Sequence, residues 1–98
     1  MPNMTHILKD FLSVTGNTIS IEIVEILMNS PEHSIQELSE HISISSSTIV
    51  RHIKSLSYSG IIEVSRISNK KVFYRLNRKY FLSLKNALSD YFDILESC

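Results

Sequence analysis

The spacing of apolar residues changes once along this chain, and the change limits the folds that it can adopt. Before Gly60, apolar residues recur every three or four positions, as on one face of a helix; after it, they alternate with polar residues, as in a strand. Glycine is common just after a helix, so Gly60 is a suitable boundary. The 98 residues are expected to form a single mainly α domain (α+β) with a small β-hairpin, since one core usually occupies roughly 50 to 200 residues.

Two helices are predicted in the first third of the chain. The first spans about residues 4–15, and Gly16 is expected to form a left-handed cap after it. The second begins near Ile19 and ends at Asn29-Ser30-Pro31. Residues 19–23 also alternate as a strand would, so periodicity alone leaves both interpretations open, and the length of the segment favours a helix.

Two further helices follow, separated by a short turn. Ser34-Ile35-Gln36-Glu37 has the pattern of a capping box, which predicts that the third helix starts there and ends near Ser43. Ser45 can cap the fourth helix. In that helix Ile49, Ile53 and Leu56 form an apolar stripe, and the remaining surface is polar and basic.

The last third of the chain is predicted to contain a β-hairpin and a long helix. The hairpin strands are residues 62–66 and 72–76, joined by residues 67–71. The final helix, residues 79–96, carries apolar side chains spaced by three and four residues, which is typical of coiled coils. It is longer than a compact core needs, so a helix from a second chain is expected to cover it.

This order, α-α-α-α-β-β-α, is that of a winged helix-turn-helix. Residues 34–60 would be the helix-turn-helix and residues 61–77 the wing. In that geometry the second helix of the pair enters the DNA major groove with its N-terminal residues towards the base edges. Double-stranded DNA is therefore the expected partner.

The charge distribution agrees with this interpretation, although the formal net charge is zero. Residues 46–80 contain eight basic residues and one acid, a net charge of +7, whereas residues 1–45 carry −5 and residues 81–98 carry −2. A basic segment is typical of a surface that neutralises phosphates. The simpler alternative is that these basic residues cluster by chance on a face that is only solvated and binds nothing.

The candidate DNA-binding residues lie on the fourth helix and the wing. Short hydroxyls at a helix start suit close approach to phosphate, while arginine and lysine can contact base edges and phosphates. Arg66 and Arg75 could instead pair with local acids such as Glu63, and His52 could be partly buried rather than in contact with DNA. The predicted set is Ser45, Ser46, Ser47, Thr48, Val50, Arg51, Lys54, Arg66, Asn69, Lys70 and Lys71.

The motif from Ile35 to Ile62, with its core Ser-x-Ser-Thr-x-x-Arg-His-x-Lys-x-Leu, resembles the helix-turn-helix of the ArsR/SmtB family of repressors. Val-Phe-Tyr-Arg-Leu at residues 72–76 is similar to that family's second wing strand. The resemblance covers residues 19–78. It implies a homodimeric repressor that binds an inverted-repeat operator and dimerises through its first and last helices, residues 4–15 and 79–96. The expected interface residues are Ile7, Leu8, Phe11, Phe81, Leu84, Leu88, Tyr91 and Leu95.

The chain differs from the metal-sensing members of the family at the positions where those members carry their metal ligands. The helix spanning Ile35–Ile42 has no cysteine, and the last helix has Asp90, Asp93 and Glu96 but no histidine. We therefore expect no metal and no cofactor, and no response to metals through the usual sites.

Other classes of function have little support in the sequence. No glycine-rich phosphate loop or nucleophile motif is present, so an enzyme is not expected. No leader or membrane span is predicted, and the single cysteine, Cys98, fits a cytoplasmic protein, with an intersubunit disulfide as a redox hypothesis. The main alternative is a winged-helix module that binds protein instead of DNA.

Overall fold

The structure is a computed structural model that describes the backbone of residues 2–97 and the side chains of residues 6–97. Within that range the chain forms α1 (Pro2–Thr15), α2 (Thr18–Asn29), β1 (His33–Ser34), α3 (Ile35–Ile42), α4 (Ser46–Tyr58), β2 (Ile62–Ser68), β3 (Lys71–Leu76) and α5 (Arg78–Ser97). The predicted α+β winged-helix fold is confirmed. Cys98 lies outside the described residues, so its redox role remains a hypothesis.

The segment that could have been helix or strand is a helix. α2 is capped by Asn17, whose side chain accepts a hydrogen bond from the Ser20 amide at 2.9 Å. The prediction that Gly16 forms a left-handed cap is wrong, because Gly60 is the glycine with a positive φ among the described residues. Gly16 has a different requirement: a Cβ there would lie 2.9 Å from the carbonyl oxygen of Leu12.

The helix-turn-helix consists of α3, a three-residue turn and α4. Both hydrogen bonds of the predicted capping box are present, from the Ser34 amide to the Glu37 carboxylate at 2.9 Å and from the Glu37 amide to the Ser34 hydroxyl at 3.2 Å. Ser43 ends α3 in the left-handed region, with φ 62°. The Ser39 hydroxyl donates to the carbonyl of Ile44 and so ties α3 to the turn that leads into α4.

The sheet has one more strand than the predicted hairpin. β1 pairs antiparallel with β3, and β3 pairs antiparallel with β2, giving the order β1-β3-β2. β1 is only two residues long and overlaps the capping box, so no alternating pattern could predict it. The predicted connection at residues 67–71 is also too long, because Ser68 pairs with Lys71 and the turn consists of Asn69 and Lys70 alone.

The core lies where α2, α3 and α4 meet the start of β2. Its most deeply buried side chains share an aliphatic character, which explains the apolar stripes of the sequence: Ile23, Leu38, Ile49, Leu56, Ile61 and Ile62. α4 is thus held from beneath by Ile49, Ile53 and Leu56, and its opposite face is left to solvent.

The first and last helices pack against each other within one chain. The rings of Phe11 and Phe81 meet edge to face with centroids 6.1 Å apart. The Tyr80 hydroxyl donates to the Asp10 carboxylate at 3.0 Å.

Within the described chain no single helix is long and apolar enough to cross a membrane, although the bent pair His6–Thr15 and Thr18–Asn29 reaches that length and composition together.

Candidate nucleic-acid interface

The start of α4 presents a cluster of hydroxyl groups to solvent. Ser45 is the N-cap, and its side chain accepts from the Thr48 amide at 3.4 Å. The Ser45 hydroxyl also lies 3.2 Å from that of Ser47 and 3.0 Å from that of Thr48. Ser45, Ser46 and Ser47 are exposed. A helix N-terminus with small polar side chains carries free amide donors and partial positive charge, which suits a phosphate.

The outer face of α4 carries two cations that are available for a ligand. Arg51 and Lys54 are exposed, while Val50 beside them is half-buried. Among residues 6–97 the ion pairs involve only Arg66 and Arg75, so Arg51 and Lys54 have no acidic partner there. An uncompensated guanidinium on a helix face can donate two hydrogen bonds to a guanine edge.

The tip of the wing places two lysines at a tight turn. Asn69 and Lys70 have φ values of 50° and 66°, and two successive positive values are typical of a type I′ hairpin turn. Lys70 and Lys71 are exposed and, in the part of the chain described, are not ion-paired. The wing therefore projects positive charge from its most distant point.

The stem of the wing is different, because both of its arginines are ion-paired. The Nε atom of Arg75 donates to Glu63 at 2.8 Å, which is the local pairing that the sequence left open. The Nε atom of Arg66 donates to Glu32 at 2.6 Å, and its guanidinium carbon lies 4.0 Å from the centroid of the Phe73 ring.

Glu32 is the residue of this region that the sequence analysis did not identify. It precedes β1 and reaches across to β2, where its carboxylate also accepts from the Ser65 hydroxyl at 2.6 Å. The hydrogen bond from Ser65 and the pairing with Arg66 lower the pKa of Glu32 below its usual value. No local sequence signal marks it, because its partners are 33 and 34 residues away.

His52 connects α4 to the interior. Its Nδ1 atom lies 3.1 Å from the hydroxyl of Ser20, a fully buried residue of α2. The imidazole itself is half-buried. Burial of the ring, and the nearby charge of Arg51, lower the pKa of His52. Of the two interpretations left open for His52, the partial burial is therefore observed.

Two other histidines meet away from α4. The rings of His33 and His41 have centroids 5.1 Å apart. Across the described part of the chain, no three histidine, cysteine, aspartate or glutamate side chains are grouped so that they could hold a metal ion.

The predicted dimer residues differ in how far the protomer itself covers them. Phe11 and Phe81 pack on the protomer's own core, and Leu84 is buried within the protomer. By contrast, the second half of α5 leaves apolar side chains uncovered: Leu88 is 39% exposed, Tyr91 45% and Leu95 66%. Ile7 and Leu8 on α1 are half-buried.

The fold and this surface define a winged helix-turn-helix protein, and comparison with solved structures agrees. An ArsR family transcriptional regulator superposes with a TM-score of 0.79 at 15% identity, covering 96% of this chain and 95% of that one. The transcriptional repressor BigR from Xylella fastidiosa has a TM-score of 0.71 at 25% identity, covering 94% and 90%. The PKZ Zalpha domain, solved in complex with the duplex ds(CG)6, has a TM-score of 0.57 at 23% identity, covering 61% and 95%.

The family follows from the sequence match. The model of the HTH domain family matches residues 20–75, which is more than half of the chain. The chain belongs to the helix-turn-helix domain family, and its fold is that of the ArsR-type transcriptional regulators, as the resemblance in its sequence implied. A comparison with curated protein sequences gives no match.

Proposed function

We propose that the protein is a homodimeric repressor that binds an inverted-repeat operator in double-stranded DNA. The single observation that carries the proposal is that the exposed cations at the outer face of α4 and the tip of the wing make no ion pair among the described residues: Arg51, Lys54, Lys70 and Lys71. A surface that binds phosphates needs such free charges, because releasing counterions from DNA supplies much of the binding free energy. The Zalpha neighbour, solved with duplex DNA, supports the same class of partner.

In this proposal α4 enters the major groove and supplies sequence recognition. The hydroxyls of Ser45, Ser46, Ser47 and Thr48 bind the phosphates at the edge of the groove, where the helix N-terminus favours negative charge. Arg51 donates to a base edge, and Lys54 contacts the adjacent backbone. Arginine suits the first role because its planar group matches N7 and O6 of guanine. Val50, on the same helix, is suited to an apolar contact with a thymine methyl group.

The wing contributes contacts that do not depend on sequence. Lys70 and Lys71 bind phosphates with the flexible point charge of an ammonium group. Asn69 lies in the same turn and can donate through its side-chain amide. Arg66 makes a further contact with DNA in this proposal, while its Nε atom donates a hydrogen bond to Glu32.

Dimerisation uses the uncovered part of α5 together with α1. Leu88, Tyr91 and Leu95 follow the three- and four-residue spacing of a coiled coil, and each is at least 39% exposed in the protomer. An identical helix from a second chain would bury this stripe and place two copies of α4 one helical turn of DNA apart.

The protein is proposed not to respond to metals through the usual sites of ArsR/SmtB metal sensors, because α3 lacks cysteine and α5 lacks histidine.

Selection from random duplex DNA tests the proposal. We expect enrichment of a palindrome with half-sites about one helical turn apart, and in vitro transcription from a template carrying that site should fall when the protein is added. Arg51→Ala should cost about 1–3 kcal/mol and relax the preference at one base pair, whereas Lys9→Ala, an exposed cation of α1, should change neither.

A second candidate function is protein binding by the same fold, since a fold does not determine function. Failure to enrich any DNA sequence, together with weak binding at physiological salt, would favour that alternative.

A further inference from the structure

We infer that Glu32 and Phe73 are positioning residues for DNA binding, because they hold the guanidinium group of Arg66 in one orientation on the wing. The inference rests on the proposed function and deepens it. The terminal amines of Arg66 bind a phosphate of the DNA backbone, and Glu32 orients the guanidinium group for that contact.

The terminal amines of the Arg66 guanidinium group remain available to a ligand. One N–H, on Nε, donates to Oε2 of Glu32 at 2.6 Å, and the flat face of the group lies on Phe73 at 4.0 Å. A guanidinium has five N–H donors, so four remain on the terminal amines. Among the described residues these amines have no hydrogen-bond partner, and the side chain is 53% exposed. Two parallel N–H groups in this arrangement match the oxygens of a phosphate.

An irregularity in β2 makes this arrangement possible. Neighbouring residues of a regular strand point to opposite faces, so Ser65 and Arg66 could not both reach one carboxylate. The register between β2 and β3 shifts between Val64 and Arg66, where Val64 pairs with Tyr74 and Arg66 pairs with Phe73. Ser65 is the extra residue, and both it and Arg66 bind Glu32. Bulges of this kind commonly re-aim a side chain.

Two opposing effects of Glu32 on DNA affinity can be compared by size. Its negative charge repels phosphate, but across roughly 7 Å of solvent at physiological salt this weakens binding by less than about twofold. Because Glu32 already holds the Arg66 side chain in place, binding does not lose that side chain's conformational entropy. This saving corresponds to about three- to tenfold in affinity. The positioning effect is the larger, so Glu32 should strengthen binding although it is an acid.

The test measures binding to a labelled 30-base-pair mixed-sequence duplex by fluorescence anisotropy at several salt concentrations. Glu32→Ala is compared with Glu63→Ala, which removes the carboxylate from the other ion pair between an arginine Nε and a glutamate on the same wing. Arg66→Ala and the double variant Glu32→Ala/Arg66→Ala complete a double-mutant cycle for Glu32 and Arg66. Arg66→Lys keeps the charge and removes the planar group without altering Glu32.

We expect Glu32→Ala and Arg66→Lys each to lower affinity about three- to tenfold with little change in salt slope, and Glu63→Ala not to lower it. Arg66→Ala should lower both the affinity and the slope, the slope by about one unit. In the Arg66→Ala background, Glu32→Ala should have no further effect, which a role of Glu32 independent of Arg66, such as its hydrogen bond with Ser65, would not produce.

Three results would overturn the inference while leaving the proposed function intact: an unchanged affinity for Arg66→Ala, a higher affinity for Glu32→Ala, or an equal loss from Glu32→Ala with and without Arg66. Absence of salt-dependent binding by the unaltered protein would instead overturn the proposed function, and this inference with it.

Discussion

The hydroxyl of Ser20 lies 3.1 Å from Nδ1 of His52 and joins the buried side of α2 to the helix that is proposed to read DNA. Ser20 is fully buried, so a polar group there needs a partner inside the protein. A hydroxyl can donate to a neutral imidazole nitrogen, and burial of His52 favours that neutral form. The pair therefore links α2 to α4 through their side chains.

Replacing Ser20 by alanine should destabilise the protein by about 1 kcal/mol, because His52 loses its buried partner while the packing changes little. The measurement is urea unfolding at pH 7. Ser57→Ala, which removes an exposed hydroxyl from α4, is the control and should leave the free energy of unfolding within about 0.5 kcal/mol. Equal effects of the two substitutions would show that the hydrogen bond contributes nothing to stability.

Stability should depend on pH through His52. Its pKa in the folded protein lies below the usual 6.5 because of burial and the neighbouring Arg51. Between that lowered pKa and 6.5 the unfolded chain binds more protons than the folded one, so the free energy of unfolding should fall as the pH is lowered through this window and should be unaffected above it.

Urea unfolding between pH 5 and pH 8 checks this dependence on His52. The unaltered protein should lose more stability towards pH 5 than His52→Gln does, since the variant has no titrating group at this position. All other side chains are the same in both proteins, so their contributions cancel in the comparison. Parallel curves for the two proteins would contradict the prediction.

The fold was largely predictable because its main elements have local signals. The capping box at Ser34 and the apolar stripe of α4 are written in consecutive residues, and both are present as predicted. β1 was not predictable, since its two residues gain strand geometry only by pairing with Tyr74 and Phe73, some 40 residues later. The same limit applied to Gly16, whose role depends on the position of the Leu12 carbonyl.

The candidate site divides in the same way. The identity of the exposed residues on α4 followed from helical periodicity, because the buried positions Ile49, Ile53 and Leu56 determine which face is left. The partner of Arg66 did not follow, since the sequence offered Glu63 as a nearby acid whereas the structure pairs Arg66 with Glu32. Periodicity predicts which face a side chain lies on, and only the tertiary fold determines what it contacts.

Lys70→Gly should stabilise the fold and weaken DNA binding. Lysine has φ 66° at this turn position, a left-handed conformation that costs a residue with a side chain about 1 kcal/mol and that glycine adopts readily. Urea unfolding should therefore show a gain of about 1 kcal/mol. Binding to duplex DNA should fall, with the salt slope reduced by about one unit, because one phosphate contact is lost.

Asn69→Gly is the control for the effect of Lys70 on DNA binding. It relieves the neighbouring positive φ of 50° and removes no charge, so it should leave the salt slope unchanged. A salt slope that falls equally for both variants would mean that the turn conformation, and not the lysine charge, determines binding.

Dimerisation can be tested with two exposed leucines of the same helix. Leu95 lies on the proposed interface stripe and is 66% exposed in the protomer, whereas Leu82 is 55% exposed and lies outside the stripe. In a symmetric dimer Leu95→Glu removes two leucines from the interface, which costs about 3 kcal/mol or roughly a hundredfold in the dimer dissociation constant. Leu82→Glu should leave that constant unchanged. Sedimentation equilibrium provides the measurement, and equal dissociation by both variants, or by neither, would rule out this face of α5 as the interface.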